Sequence, residues 1–360
     1  MTVTRRSVLR GIAGGALALP ALGRRLRAAA APARETPALV VVYLNGGPAG
    51  LFNSAGSFLA RGDFGVKRDN VRVLGGGLVV DAGSLGSLPA SALGHMAAIN
   101  FAHGLDRHDL ARAALLQTGD RSNLLLLAQS FIDPAPVRCA VVNSLGLPVG
   151  VDPNPPTEGG IALERVLDLR AIGRYHPPEE RAADPARLAA AYRVRPEQSA
   201  IDDPASSFLA AELLLRSGSN VVFTQPLYAG RPDRQIDTHH DATGAQARSI
   251  MATIMPPLRT FVGRALALPG RNVVIALVGE FSRTVGASDH EPGGTATVIG
   301  KYVRTGSAGP QTPAGAPPPG SPPPAGLWAY LAGVLRLPEH QFGQNPVPEL
   351  VLGERVSRAA

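Results

Sequence analysis

Short apolar runs separated by polar segments set the pattern of this 360-residue chain. Runs rich in β-branched residues and bounded by glycines or polar loops predict buried strands, and apolar residues at helical spacing predict helices. The predicted strands lie at 39–44, 97–102, 140–142, 221–224, 273–278 and 295–299, with a weak hairpin at 71–80. The predicted helices lie at 109–117, 122–130, 161–169, 185–192, 204–215, 244–268 and 327–335, the last of them amphipathic. Strands that alternate with helices in this way predict a three-layer α/β/α sandwich with a mainly parallel sheet.

Polar residues cluster just beyond two of the predicted strands, where the binding or catalytic site of an α/β protein usually lies. Asp237 and His239 are two residues apart and point to one side if that segment is extended. Asp289 and His290 are adjacent and can serve one site only on a turn, which the nearby glycines and proline favour. Oxygen and nitrogen ligands of this kind suit zinc or a similar divalent ion. These four residues are therefore candidate metal ligands, although each histidine also fits a surface or hydrogen-bonding role.

The positive charge of the chain is concentrated at its N-terminus. The formal net charge is +7, but residues 1–33 contain six arginines and no acidic residue, so the rest carries a net charge of +1. A nucleic-acid partner is therefore not expected. Residues 4–9, TRRSVL, resemble the twin-arginine consensus, an uncharged stretch at 11–23 follows, and Ala31-Pro32-Ala33 fits a small-x-small cleavage site.

Residues 1–33 are accordingly predicted to be a twin-arginine signal peptide, and the alternative is a basic, disordered tail. The prediction makes the twin-arginine export machinery a partner and places the protein in the periplasm or outside the cell. No segment after the leader is apolar enough to span a membrane, and residues 34–360 are predicted to form a single domain. Within it, the Gly/Pro/Ala-rich segment 307–324 predicts a flexible surface loop. The single cysteine, Cys139, excludes an intrachain disulfide and fits a core position better than a nucleophile.

Several short motifs, in their order and spacing, resemble the domain-of-unknown-function 1501 family, a bacterial and mostly twin-arginine-exported group placed with the alkaline phosphatase and sulfatase superfamily. The motifs are VVVYLNGG at 40–47, His103-Gly104 with His108 and Thr118-Gly119, Asp237-Thr238-His239, Glu280-Phe281-Ser282-Arg283-Thr284, and Asp289-His290 with the glycine-rich tail to Gly309. The resemblance implies an alkaline-phosphatase-like fold and a divalent metal ion held by Asp237, His239, Asp289 and His290. Enzymes of that superfamily attack phosphate or sulfate esters, and Glu280, Arg283 and His108 become candidates for a catalytic role.

Two positions depart from the pattern of that family. After the first strand the family usually reads Gly-Gly-x-Asp-Gly-Leu, and this chain has Ala49 where the superfamily commonly has a metal-binding aspartate. The family tends to have Ser-His where this chain has Arg107-His108, and Arg107 fits either a solvated helix start or an anion-binding position. Loss of a carboxylate ligand weakens a divalent-metal site because it removes both charge and a bond.

Three functions remain open from the sequence. The missing aspartate favours a non-catalytic relative with a degenerate metal site that binds an anionic small molecule, a glycan or a partner protein. The alternative is a metal-dependent hydrolase of phosphate or sulfate esters. A purely structural role in the cell envelope is the third.

Overall fold

The structure is a computed structural model of the chain. It describes residues 35–47, 52, 68–132, 135–142, 157–158, 161–172, 185–227, 236, 245–283, 290–312 and 315–353. The predicted signal peptide at 1–33 lies outside these residues, as do Ala49, Asp237, His239 and Asp289.

The described strands and helices are numbered along the chain. The strands are β1 (Thr36–Tyr43), β2 (Val71–Val73), β3 (Val79–Asp81), β4 (Met96–Ala102), β5 (Gln117–Thr118), β6 (Arg121–Ser122), β7 (Cys139–Val142), β8 (Thr157–Glu158), β9 (Ile161–Val166), β10 (Val221–Thr224), β11 (Arg271–Val278), β12 (Ser282–Arg283), β13 (His290–Glu291), β14 (Gly293–Gly300) and β15 (Gly306–Ser307). The helices are α1 (Ala90–Leu93), α2 (His108–Leu116), α3 (Asn123–Gln129), α4 (Leu169–Ile172), α5 (Pro185–Tyr192), α6 (Pro204–Arg216), α7 (Ala245–Leu266) and α8 (Pro324–Leu335). Short 3₁₀ turns lie at Arg68–Asn70, Leu85–Ser87 and Pro348–Leu350.

A nine-stranded sheet in the order β15-β4-β14-β11-β1-β10-β7-β9-β8 forms the middle layer. Strands β1, β10, β7 and β9 pair in parallel, whereas β14 runs antiparallel to both of its neighbours, β11 and β4. Because side chains alternate along a strand, Val40 and Val42 of β1 enter one apolar core and Val41 and Tyr43 enter the other. Helices α1, α4, α5, α6 and α7 contribute to the first core, and α2, α3 and α8 contribute to the second. The predicted three-layer α/β/α sandwich with a mainly parallel sheet is confirmed.

The prediction of a helix at 161–169 is wrong, because residues 161–166 form strand β9. This strand lies parallel to β7, with Leu163 opposite Cys139, and α4 begins only at Leu169. Ile161 and Leu163, two residues apart, are buried in one apolar core, and Val166 is buried in the other, as expected for a strand with a core on each face. Residues with good helix propensity, such as Leu, Glu and Arg, occupy a strand here because sheet pairing and burial outweigh intrinsic preference.

The C-terminal helix α8 occupies its predicted position but is not amphipathic. Ten of its twelve residues are buried. A helix that is apolar on all sides belongs to a core, and α8 packs among β4, β11 and α2 beneath the sheet. Trp328 of this helix donates its indole N–H to the carbonyl oxygen of Leu115, 2.7 Å away, so the one polar atom of its buried ring is paired.

The segment 307–324 begins in the edge strand β15 and continues along the end of β4. Gln311 is buried, and its amide group donates hydrogen bonds to Ser282 and Thr295. Pro322 accepts a hydrogen bond at its carbonyl oxygen from the amide of Ala102, over 2.9 Å. These contacts join the described part of the segment to the strands that lead into the candidate site.

Candidate functional site

The loops that follow β1 and β11 meet at one edge of the sheet with almost no space between their backbones. Leu44 donates its amide N–H to the carbonyl oxygen of Val278 over 2.8 Å, so the two strands end side by side. A Cβ atom on Gly279 would lie 2.5 Å from the Cα of Gly47, and a Cβ atom on Gly47, which has a φ of +79°, would lie 1.8 Å from the carbonyl oxygen of Phe281. Only glycine permits this approach, and it fixes the position of the residue between Gly279 and Phe281, which is Glu280.

Glu280 is fully buried at the end of β11, and both of its carboxylate oxygens are hydrogen-bonded. One oxygen accepts from the hydroxyl of Tyr43 at 2.5 Å and from the amide of Gly46 at 3.1 Å. The other accepts from Nδ1 of His108 at 2.9 Å and lies 3.8 Å from the guanidinium of Arg112. Burial alone raises the pKa of Glu280, but the bonds from His108 and Tyr43 and the charge of Arg112 outweigh it, and the pKa is lowered. Glu280 is therefore an ionised carboxylate inside the protein.

Arg112 of α2 connects this carboxylate to the loop after β1. Its Nε atom donates to the hydroxyl of Tyr43 at 3.2 Å, and its Nη2 atom donates to Oδ1 of Asn45 at 2.8 Å. Burial, followed by the negative charge of Glu280, raises the pKa of Tyr43 well above its ordinary value. The Tyr43 hydroxyl consequently stays protonated and acts as a donor to Glu280.

His108 and His290 face each other at the mouth of this buried network. Because a carboxylate can only accept, the bond to Glu280 places a hydrogen on Nδ1 of His108 and leaves its Nε2 directed away from Glu280. That Nε2 lies 3.0 Å from Nε2 of His290. The His290 ring stacks on Phe281 with ring centres 4.1 Å apart and planes 6° from parallel, and the edge of His108 meets the same phenyl ring at 5.0 Å. One phenyl ring thus supports both imidazoles.

A third histidine, His103, fastens the backbone of the turn that contains Glu280. Its Nε2 donates to the carbonyl oxygen of Glu280 at 2.7 Å, and its Nδ1 accepts from the amide of Leu105 at 3.1 Å. Burial lowers the pKa of His103, although the bond to the Glu280 carbonyl opposes the shift. His103 is therefore a neutral ring with one donating and one accepting nitrogen.

The structure brings together three of the residues that the sequence singled out, Glu280, His108 and His290. Asp237, His239 and Asp289 lie outside the described residues, and for Arg283 the structure gives only the backbone, which pairs with His290 across β12 and β13. Within the described ranges, no group of three or more His, Cys, Asp or Glu side chains is arranged to hold a metal ion. The proposed ligand set therefore stays a prediction.

Two other residues marked in the sequence lie away from this network. Arg107 is mostly exposed at the start of α2, where it forms an ion pair with Asp109 at 2.7 Å. This contact fits the solvated helix-start interpretation of Arg107. Cys139 is buried in β7, and burial raises its pKa, which confirms a core role for this thiol.

Tyr43 lies in the VVVYLNGG motif, but the sequence assigned no site role to it or to Arg112. Tyr43 is the only residue with a polar side chain between positions 38 and 44, and a hydroxyl inside a buried strand needs a partner. That signal could have marked Tyr43. Arg112 carried no such signal, because its position on α2 next to β1 arises only from the tertiary structure.

Comparisons with known proteins add little to this geometry. No protein-family model and no curated protein matches the sequence. Among solved structures, the crystal structure of Ps i-CgsB in complex with k-i-k-neocarrahexaose is similar, with a TM-score of 0.41, 9% sequence identity, and coverage of 87% of this chain and 75% of that chain. A similarity at this level supports no inference about activity. None of the helices described here is long and apolar enough to cross a membrane.

Proposed function

We propose that this chain is an exported protein that binds a divalent metal ion at the carboxyl edge of its sheet and, through it, an anionic ligand such as a phosphate or sulfate ester. One observation supports this proposal most directly. Two imidazoles present their Nε2 atoms to each other over 3.0 Å, and a buried, ionised carboxylate holds one of them from behind. Metal-binding histidines commonly donate their second ring N–H to a carboxylate in this manner.

The chemistry of the donor groups fits the ion that the motifs imply. Imidazole nitrogen and carboxylate oxygen are the usual ligands of zinc and similar ions in proteins without a cysteine site. His290 would hold the ion together with Asp237, His239 and Asp289, the set predicted from the sequence. A bound divalent ion would supply a positive charge that polarises the oxygen of an ester or binds an anion directly.

Binding is proposed in preference to turnover because of Ala49. A methyl side chain cannot coordinate an ion, so the position that usually supplies an early aspartate ligand supplies none here. Sites that process esters with two metal ions depend on such bridging carboxylates to stabilise both ions.

Hydrolysis of phosphate or sulfate esters is the second candidate, and the Glu280–His108 pair favours it. A buried carboxylate that holds Nδ1–H of a histidine directs the other ring nitrogen outward as an acceptor, which is also the arrangement of a general base. The side chain of His108 is 34% exposed, so this histidine lies at the edge of the buried network.

Metal analysis of the exported protein tests the proposal. The full-length chain is expressed with export intact, purified without chelators, and measured for metal content by mass spectrometry. About one equivalent of a divalent transition metal is expected, with loss of most of it in Asp289→Ala and His239→Ala. Less than about a tenth of an equivalent in the unmodified protein, together with no uptake of added Zn²⁺, would refute the metal-binding proposal.

Ligand binding and turnover are then measured on the metal-loaded protein. Inorganic phosphate and sulfate are titrated by calorimetry, and a panel of phosphate and sulfate esters is assayed for hydrolysis. Binding without hydrolysis supports the first candidate, and hydrolysis that is lost in Asp289→Ala supports the second.

A further inference from the structure

We infer that His108 is a metal ligand of this site, that it binds the ion through Nε2 beside Nε2 of His290, and that Glu280 is the residue that positions it. The inference rests on the proposed function and adds a ligand that the sequence motifs did not assign. His108 begins α2 and comes from a different part of the chain than the Asp237 and Asp289 clusters. A nitrogen ligand here would offset the coordination that Ala49 does not provide.

The distance between the two imidazoles fits ligands that share one ion. Two nitrogen atoms that are each about 2.1 Å from an ion lie about 3.0 Å apart at a right angle and about 3.4 Å apart at the tetrahedral angle. The two Nε2 atoms are 3.0 Å apart. Their rings lie 84° from parallel with centres 4.6 Å apart, so the two nitrogens come this close without a collision of the rings.

The protonation of His108 is set for coordination. Glu280 accepts the hydrogen of Nδ1, so in the neutral ring the lone pair lies on Nε2. Tyr43 and Gly46 saturate the other carboxylate oxygen, and Arg112 lies near the first. The carboxylate therefore cannot rotate to follow a different partner, and the tautomer of His108 is fixed by groups that are themselves buried.

The apolar support of the two rings fixes their orientation. Phe281 stacks face to face on His290 and receives the edge of His108, and it is itself 1% exposed. Two ligands held against one buried phenyl ring lose little side-chain freedom when an ion binds, because most of that freedom is already lost in the folded protein.

Two other interpretations of the pair make different predictions. In the first, His290 donates its Nε2–H to Nε2 of His108 in a plain hydrogen bond, and no ion is involved. In the second, His108 is a general base, which requires a lone pair that is not already bound to a metal. Both interpretations predict that metal affinity is insensitive to the replacement of His108.

The test measures metal affinity in the full chain, prepared free of metal with a chelator and titrated with Zn²⁺ by calorimetry and with Co²⁺ by visible absorption. His108→Ala and Glu280→Gln are compared with the unmodified chain. His340→Ala is the matched control, because His340 is also half-buried and stacks on a phenylalanine, Phe342, at 6.1 Å. His108→Cys replaces the imidazole by another ligand that binds zinc and cobalt.

We expect His108→Ala and Glu280→Gln to weaken Zn²⁺ binding by about 10- to 100-fold, and His340→Ala to change it less than about twofold. His108→Cys should retain tighter binding than His108→Ala, and its Co²⁺ complex should gain a sulfur-to-metal charge-transfer band in the near ultraviolet. That band arises only if residue 108 contacts the ion, so it separates a ligand from a residue that merely supports the fold. Circular dichroism spectra and melting curves check that each variant is folded, and His108→Cys and Glu280→Gln give an answer if His108→Ala is not.

The outcomes separate the inference from the proposed function. Unchanged Zn²⁺ affinity in His108→Ala and an absent charge-transfer band in His108→Cys overturn the inference. If Asp289→Ala still abolishes binding in that case, the proposed metal site stands with other ligands. If the unmodified chain binds neither Zn²⁺ nor Co²⁺, both the site and the inference are wrong, and the two histidines form a hydrogen bond.

Discussion

Two fully buried glutamates, Glu212 and Glu280, accept a hydrogen bond from a buried tyrosine but differ in their cationic partners. Tyr192 donates to Glu212 at 2.7 Å, and Tyr43 donates to Glu280 at 2.5 Å. Glu212 is also bonded by two arginines: Arg216 at 2.7 Å, and Arg264 at 2.8 and 2.9 Å. Among the described side chains near Glu280, the guanidinium of Arg112 lies 3.8 Å away, and the closer nitrogen is Nδ1 of His108 at 2.9 Å.

The partners of a buried glutamate therefore decide whether it stabilises the packing of helices or orients a side chain at a candidate site. The Glu212 cluster ties α5, α6 and α7 together inside the helical layer, and its arginines supply more positive charge than the carboxylate needs. The Glu280 cluster lies where two strands end, and its histidine presents a second nitrogen toward another histidine. A buried carboxylate that is paired with arginines stabilises the local fold. A buried carboxylate that accepts a hydrogen bond from a histidine also fixes the orientation of that imidazole ring.

The largest effect is expected for Glu212→Ala. This change removes the shared acceptor of Tyr192, Arg216 and Arg264, and the loss of one side of a buried ion pair costs about 3–5 kcal/mol of stability. The measurement is the free energy of unfolding from guanidinium titrations followed by circular dichroism. Zn²⁺ affinity should stay within about twofold of the unmodified protein, because a structural cluster does not contact the site.

Glu197→Ala is the control for this experiment. Glu197 is exposed and its ion pair with Arg195 spans 3.8 Å at the surface, so its loss should cost about 0–1 kcal/mol. The proposed division between the two glutamates fails if Glu212→Ala weakens Zn²⁺ binding as strongly as Glu280→Gln.

Gly47→Ala tests whether the close approach of the loops after β1 and β11 fixes the position of Glu280. The added Cβ would occupy the space of the Phe281 carbonyl in a backbone with a φ of +79°, so about 2–4 kcal/mol of stability should be lost and Zn²⁺ binding should weaken. Gly77→Ala is the control, since Gly77 has a φ of +77° but open space around its Cβ position. It should cost only the strain of the left-handed backbone, about 1–2 kcal/mol, with metal affinity unchanged. Equal losses of stability in the two variants would show that the loop backbones move apart to accommodate the added methyl group at Gly47.

Tyr43→Phe and Tyr192→Phe compare the two clusters directly, because each change removes one hydroxyl hydrogen bond to one buried carboxylate. Each should lower the free energy of unfolding by about 1–3 kcal/mol, the cost of a lost hydrogen bond to a buried charged group. Only Tyr43→Phe should also weaken Zn²⁺ binding, by a few-fold, because Glu280 would hold His108 less firmly. A matching loss of metal affinity in Tyr192→Phe would contradict the separation of the two clusters.

Most of the fold could be predicted from the sequence because its signals are local. The apolar runs that became β1, β10 and β11 are buried on both sides and read as strands without any knowledge of their neighbours. The helix predicted at 161–169 was wrong because a short apolar run with mixed spacing fits a helix and a strand equally well. Only its pairing with β7 shows that residues 161–166 form a strand. Helix α8 was placed correctly but its full burial depends on the sheet above it.

The candidate site was predicted only in part, and for a physical reason. Glu280, His108 and His290 stood out as reactive side chains beside turns, but their mutual distances depend on the ends of β4, β11 and β13 meeting in space. The contact between Arg112 and the Tyr43 hydroxyl forms only because β1 and α2 lie side by side in the folded chain, so the sequence alone does not show it. The sequence gives the chemistry of each side chain. Whether a carboxylate positions another residue or itself binds an ion depends on how deeply it is buried and on where its hydrogen bonds point, which only the structure shows.

The smallest effect concerns the response of the Glu212 cluster to acid. Burial raises the pKa of Glu212, but hydrogen bonds from Arg264, Tyr192 and Arg216 outweigh it and the pKa is lowered. The unfolded chain therefore binds this proton at a higher pH than the folded chain. The resulting stability is fully present above the unfolded value of about 4.3 and is lost as the pH falls through the lower, folded value. Glu212→Gln removes this contribution, so its free energy of unfolding should fall less steeply below about pH 4.3 than that of the unmodified protein.

The measurement is a series of guanidinium titrations of the metal-free protein between about pH 3 and 6, which brackets the ordinary glutamate pKa. Glu197→Gln, at an exposed position, should leave the slope of stability against pH unchanged. An equal slope in Glu212→Gln and the unmodified protein would mean that burial cancels the arginine bonds. Glu212 would then hold its charge no more firmly than an exposed acid, and the contrast with Glu280 would lie only in the histidine that each does or does not contact.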